Sequence, residues 1–166
     1  MRNYHLDSNI LLGKLIGRRE VYSHCNHIIA QLQNLARSSD VSIIISQVVL
    51  GETLIVLHDR CPRDDIGNKI LDLMDIIDRL GAETPSAKKR DYEVALEIMQ
   101  NDNRLEHQPN DALIVAQALN DPDSEKFLTT DRNILESHYL IRIEGDLRGQ
   151  NKRNRTLIFT DRVSRT

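Results

Sequence analysis

Tyr4-His5-Leu6-Asp7-Ser8-Asn9-Ile10-Leu11-Leu12 decides how this chain is read. A short apolar run stops at an acid, and two good helix N-caps, Ser8 and Asn9, follow at once. The pattern predicts a buried strand over 4–6 that ends at Asp7 and a helix that starts at Ser8 or Asn9. Gly13 and Gly17 weaken that helix and are expected to end it.

The same arrangement recurs near the other end of the chain, where a strand predicted over 126–130 runs into Asp131. Between the two, Val21, Cys25, Ile28, Ile29, Leu32 and Leu35 follow helical spacing, and Ser38-Ser39-Asp40 reads as a loop. Val41–Ile45 is a β-branched run and reads as a strand, and the pattern from Gln47 to His58 is helical again. Ile66, Ile70, Leu73, Met74, Ile77 and Leu80 predict a long amphipathic helix that stops at Gly81. Thr84-Pro85 supplies a cap and an N1 proline, so a helix is expected to open there and carry Tyr92, Ala95, Leu96 and Met99 on its apolar face. Another helix follows Pro109-Asn110 from Asp111 to about Leu119. After Asp131 we expect a helical turn over 132–137, a strand over 139–143 and a last strand within 156–160. Strands alternating with helices, without hairpin signals, mean an α/β fold with a mostly parallel central sheet. In such sheets ligands bind beyond the carboxyl ends of the strands, where Asp7 and Asp131 stand.

A length of 166 residues suits one domain and buries a sizeable core without disulfides. Cys25 and Cys61 are too few and too far apart for a disulfide framework and read as small buried side chains. No apolar run approaches a membrane span, and residues 1–7 lack the apolar core of a signal peptide, so a cytoplasmic protein is expected. The net charge of −3 excludes a strongly basic footprint, but the charge is uneven. Residues 147–166 hold six bases (Arg148, Lys152, Arg153, Arg155, Arg162 and Arg165) against Asp161. This divides the chain into a body, 1–146, and a basic tail, 147–166, that either guides a phosphate backbone or is simply solvated.

Four acids stand where water-facing residues are not expected. Asp7 and Asp131 end strands, Glu52 shares a helix face with Val48, Val49, Ile55 and Val56, and Asp111 opens a helix that is apolar nearly all round. Buried carboxylates are costly unless paired or bound to a cation, and no neighbouring Lys or Arg is placed to neutralise all four. A hard divalent cation, Mg2+ or Mn2+, suits an all-oxygen set and can activate water against a phosphodiester. Singly, each acid has a plainer explanation: Asp7 caps a helix, Asp111 favours a helix dipole, Asp131 starts an Asx turn. Glu52 resists one, because it interrupts an apolar face.

Four segments together resemble the PIN-domain family, the fold of VapC-type toxins and several RNA-processing enzymes. They are His5–Leu12, Ser46–Glu52, Asn110–Leu119 and Leu128–Asn133, in the family's order and spread over about residues 3–143. The resemblance implies a three-layer PIN-like fold and a metal-dependent endoribonuclease, with Asp7, Glu52, Asp111 and Asp131 as metal ligands or ligand supports. It places Ser8, Asn9 and Thr129 beside them, hydrogen-bonding the carboxylates or the water held there. It also suggests a homodimer, RNA as substrate and, for a toxin, an antitoxin partner. Some family members carry a further acid one helical turn after the third motif, where this chain has Val115. The long helix over 64–80, inserted between Glu52 and Asp111, is a candidate dimerisation element.

Candidate RNA contacts are the bases Lys88, Lys89, Arg90, Arg132, Lys152, Arg153 and Arg155. His24, His27, His58 and Cys61 offer zinc-ligand types but lack the turn-rich loops of zinc knuckles. There is no phosphate-binding glycine loop and no nucleophile elbow. Aromatic residues are scarce, which disfavours a base-stacking platform. A PIN-like module that binds RNA or protein without cutting is the alternative; it has no need of a costly acid cluster.

Overall fold

The structure is a computed structural model that describes residues 1–37 and 40–163. Ser38 and Ser39, expected in a loop, and Arg165 of the basic tail lie outside the described residues. Four parallel strands, β1 (Arg2–Leu6), β2 (Val41–Ile44), β3 (Ser124–Leu128) and β4 (Ile158–Thr160), form one sheet in the order β2-β1-β3-β4. Among the described residues eight helices flank it: α1 (Ser8–Ile16), α2 (Arg19–Ala36), α3 (Gln47–Arg60), α4 (Arg63–Leu80), α5 (Lys89–Asn101), α6 (Pro109–Asn120), α7 (Arg132–Leu135) and α8 (His138–Gly149). The α/β architecture expected from the alternation of elements is the one observed.

Leu6 of β1 pairs with Leu128 of β3, so the residues that follow them, Asp7 and Thr129, emerge side by side. The Asp7 amide extends the ladder by donating to Leu128 O at 3.0 Å. The chain passes from β1 to β2 on one side and then to β3 on the other. The crevice between β1 and β3 is therefore the topological switch point where such sheets bind ligands.

The core is continuous across the sheet and its helices, with Leu6, Ile10, Leu11, Ile43, Ile45 and Phe127 fully or almost fully buried. A buried side chain of this size stabilises the fold by about 1.5–3 kcal/mol. Cys25 is buried, as expected, and explains Gly13: a Cβ there would lie 2.3 Å from the Cys25 sulfur, so the glycine lets α1 and α2 approach. Gly13 therefore sits inside α1, and Gly17 alone ends it. Gly81 ends α4 as expected, in the left-handed conformation (φ 56°) that favours glycine.

α1 starts at Ser8, as expected, and Asp7 is its N-cap, the carboxylate accepting from Ser8 N at 2.7 Å. Two local expectations are corrected. Thr84-Pro85 opens no helix. Residues 83–85 run beside β2, where Ile45 N donates to Glu83 O at 2.9 Å and Gln47 N to Pro85 O at 3.0 Å. This covers the open edge of the sheet. The helix begins only at Lys89, where Lys88 N donates to Asp91 Oδ2 at 2.8 Å. Residues 139–143 are not a strand but part of α8: the Ser137 hydroxyl accepts from Leu140 N at 3.0 Å, and Leu140, Ile143 and Leu147 bury one helical stripe.

α8 crosses the expected boundary between 146 and 147, and the strand expected within 156–160 is β4, at the sheet edge beside β3. Arg153, grouped with the phosphate contacts by its charge, is buried. Its guanidinium donates to the carbonyls of Ala118 (3.0 Å), Leu119 (2.6 Å) and Ser124 (2.6 Å), and it lies 3.7 Å from Glu144. It ties the end of α6 to β3 and has no free donor face for RNA.

Candidate metal centre

Asp7, Glu52 and Asp111 come from three separate elements: the end of β1, the second turn of α3 and the first turn of α6. Each offers a carboxylate oxygen, and these atoms lie within 4.8 Å of one another. Among the described residues no ion pair engages any of the three, and this is the one cluster of three or more His, Cys, Asp or Glu side chains close enough to share an ion. His24, His27, His58 and Cys61 do not gather; His24 instead approaches Asp161 at 3.9 Å and His58 its neighbour Asp59 at 3.2 Å.

Thr129 organises the site. Its hydroxyl has one proton and lies 2.5 Å from Asp7 Oδ2, to which it donates. Its oxygen then accepts from the Asp131 amide at 2.9 Å and from Asn9 Nδ2 at 3.3 Å. Asn9 Oδ1 in turn receives the Thr130 amide at 3.2 Å. Ser8 holds the other oxygen of Asp7 through its amide, with its hydroxyl at a marginal 3.5 Å. Ser8, Asn9 and Thr129 thus lie around Asp7 and fix its orientation.

The electrostatics are those of a site that lacks positive charge. Burial pushes Asp7 up to about 6, hydrogen bonds from Thr129 and Ser8 work against the rise, and Glu52 and Asp131 add to it. Asp111 rises to about 7 through burial and the charges of Asp7, Glu52 and Asp131. Glu52 Oε2 is buried with no hydrogen-bond partner, an omission that costs about 1–3 kcal/mol unless something unseen satisfies it. Three hard oxygen donors, one of them orphaned, fit a Mg2+ or Mn2+ ion; the set contains no thiolate or imidazole to favour a softer metal.

Asp131 stays outside the three-acid group. Its carboxylate caps α7 by accepting from Asn133 N at 2.8 Å, the Asx turn that its sequence context allows, while its charge still raises Asp7 and Asp111. Val115, where some relatives carry an acid, is fully buried in the apolar stripe of α6.

The PIN domain model matches residues 4–138. The chain belongs to the PIN-domain family. No curated protein matches the chain significantly. Among solved structures, a chain of VapBC2 from Rickettsia felis, crystallised with a DNA fragment from the promoter, is 18% identical with a TM-score of 0.55 and covers 95% of this chain and 97% of its own. VapC20 of Mycobacterium tuberculosis, a toxin that cleaves the sarcin-ricin loop, is 16% identical with a TM-score of 0.59 over 78% of this chain and 90% of its own. At these identities the likeness is one of fold.

The seven bases singled out in the sequence scatter over this PIN fold. Arg132 directly follows Asp131. Lys88, Lys89 and Arg90 open α5, which meets the far end of α6 through the Asn120–Asp91 hydrogen bond. Asn120 is nine residues, about 14 Å, along the axis from Asp111. Arg155 pairs with Glu125 at 3.3 Å, near the amino ends of the strands, and Lys152 is exposed in the loop before Arg153. Two bases that sequence reading passed over, Arg18 and Arg60, line a groove that also contains Asn9 and Thr130. No sequence pattern marks them: Arg18 lies in the turn after α1 and Arg60 in the last turn of α3, and only the fold brings the two into one groove.

Proposed function

We propose that this PIN domain is a metal-dependent endoribonuclease, of the toxin type or an RNA-processing type, that hydrolyses phosphodiester bonds with Mg2+ or Mn2+. The observation that carries the reading is the three-carboxylate cluster of Asp7, Glu52 and Asp111, paired with no base among the described residues and holding an orphaned, buried Glu52 oxygen. When bound, the cation supplies positive charge that eases water deprotonation and offsets charge developing on the phosphoryl oxygens.

The chain's own residues do the rest. Asp7, Glu52 and Asp111 hold the ion, and Thr129 and Ser8 keep the Asp7 carboxylate from rotating. Burial and the neighbouring acids push Asp111 up to about 7 in the metal-free chain, so its carboxylate would gain most from a cation's charge. Asp131 adds its negative charge while capping α7. Because water attacks, and not the ribose 2′-hydroxyl, the products carry no 2′,3′-cyclic phosphate.

The test is end-group analysis of RNA cut in Mn2+. Linear phosphate ends support the mechanism; cyclic ends contradict it. The antitoxin partner and the homodimer that the family resemblance suggests are further parts of this reading, which co-purification with the product of an adjacent gene and light scattering would check.

A further inference from the structure

Beside the carboxylates, a groove of about 550 Å³ runs between α1 and α3 and the turn into α2. Asn9 and Thr130, at one end, belong to the hydrogen-bond network around Asp7. Leu12 and Val56 contribute apolar wall. The bases that line it, Arg18 beyond the end of α1 and Arg60 in the last turn of α3, are exposed, and among the described residues neither has a carboxylate partner. Arg60 lies eight residues past Glu52, about 12 Å along the α3 axis.

We propose that this groove is the track for a single RNA strand, with Arg18 and Arg60 holding backbone phosphates on one side of the bond to be cut. The proposal rests on the nuclease reading and gives it a substrate path. A polyanion approaching the three-acid cluster, with Asp131 close enough to add its charge, needs compensating positive charge nearby. The bases singled out by sequence do not converge on that end of the sheet as a group, whereas Arg18 and Arg60 share a groove with residues of the Asp7 network. Both are free to offer planar, two-pronged donors to phosphate. Leu12 and Val56 suit a base or ribose face and offer no side-chain donor or acceptor that would read a base edge. The two arginines are too far apart in the chain to coincide as a mere charge run: Arg18 sits in the turn between α1 and α2, and Arg60 in the last turn of α3.

The experiment is fluorescence anisotropy of a labelled, mixed-sequence single-stranded RNA with the full chain in EDTA, which separates binding from cutting. Arg18→Ala, Arg60→Ala and the double variant are compared with Arg79→Ala, a base paired with Asp75 on α4 away from the groove. Both groove arginines are exposed and unpaired, so thermal melts should match the parent and folding should not confuse the result. The expected outcome is about fivefold weaker binding for each single variant. The double variant should also show a salt slope flatter by about 1.4, at roughly 0.7 per phosphate contact on a single strand. Unchanged affinity and slope in the double variant, with RNA bound by the parent chain in EDTA and cut by it in Mn2+, would overturn the track and leave the nuclease standing. If the parent chain neither binds RNA in EDTA nor cuts it in Mn2+ or Mg2+, the nuclease reading falls and takes the track with it.

Discussion

The Thr129 hydroxyl donates to Asp7 Oδ2 at 2.5 Å across adjacent parallel strands, 122 residues apart in the chain. The contact follows from the register that pairs Leu6 with Leu128. One threonine therefore sets the geometry of the acid on β1, accepts the amide of the acid beyond β3 and positions Asn9.

Thr129→Val keeps the shape and removes this hub. The Asp131 amide and the Asp7 carboxylate each lose a buried partner, which costs about 1–3 kcal/mol. Loss of an orienting partner of this kind also weakens metal affinity about tenfold or more. Thr129→Ser should keep most of both. Urea denaturation and Mn2+ calorimetry on the two variants check it.

The acid cluster makes the metal-free protein sensitive to pH in a definite direction. Asp7 rises to about 6 and Asp111 to about 7, above the 3.8 of an ordinary aspartate. Folding therefore favours their protonated forms, so their contribution is fully present below about pH 4 and is lost as pH rises through 6 and 7. In EDTA, the melting temperature should fall across this window. Asp111→Asn should flatten the fall and raise stability at pH 8. With Mn2+ present the trend should reverse, since the ion competes with protons for the same oxygens. A metal-free melting temperature that rises from pH 5 to pH 8 would contradict the electrostatic account.

Arg153→Ala is a stability variant and not an RNA-binding one. It strands Glu144, which also accepts from Leu157 N at 3.1 Å, and frees three buried carbonyls. Removing one partner of a buried ion pair costs about 3–5 kcal/mol. Chemical denaturation should show a loss of that size. RNA affinity of the folded fraction should stay the same.

Gly13→Ala forces a methyl to within 2.3 Å of the Cys25 sulfur. The helices must part, at a cost of about 1–3 kcal/mol. Cys25→Ala in the same chain should recover part of the loss, measured as a coupling in a double-mutant cycle.

The parallel sheet and the places of Asp7, Glu52 and Asp111 were legible because each rests on short-range grammar: an apolar run ended by an acid, or an acid set into an apolar helix face. Asp131 reads the same way, but its distance from the other three depends on how tightly α7 turns, which local pattern does not state. Tyr139–Ile143 fits a strand or a helix over five residues; only Leu147 and the Ser137 cap, farther out, decide it. Thr84-Pro85 carries a real helix-start signal that is overridden by pairing with β2, a long-range contact. Arg153 looks like any basic residue until α6 and β3 bring three carbonyls around it. Arg18 and Arg60 likewise gain meaning only from the groove they share.

The most direct test is cleavage of a mixed RNA pool by the full chain in Mg2+, in Mn2+ and in EDTA, with Asp7→Asn beside it. The account expects cutting in at least one of the two metals, none in EDTA, and loss of about a hundredfold or more in a variant that melts at or above the parent's temperature at pH 8. Equal cutting in EDTA, or full activity in Asp7→Asn, would contradict it.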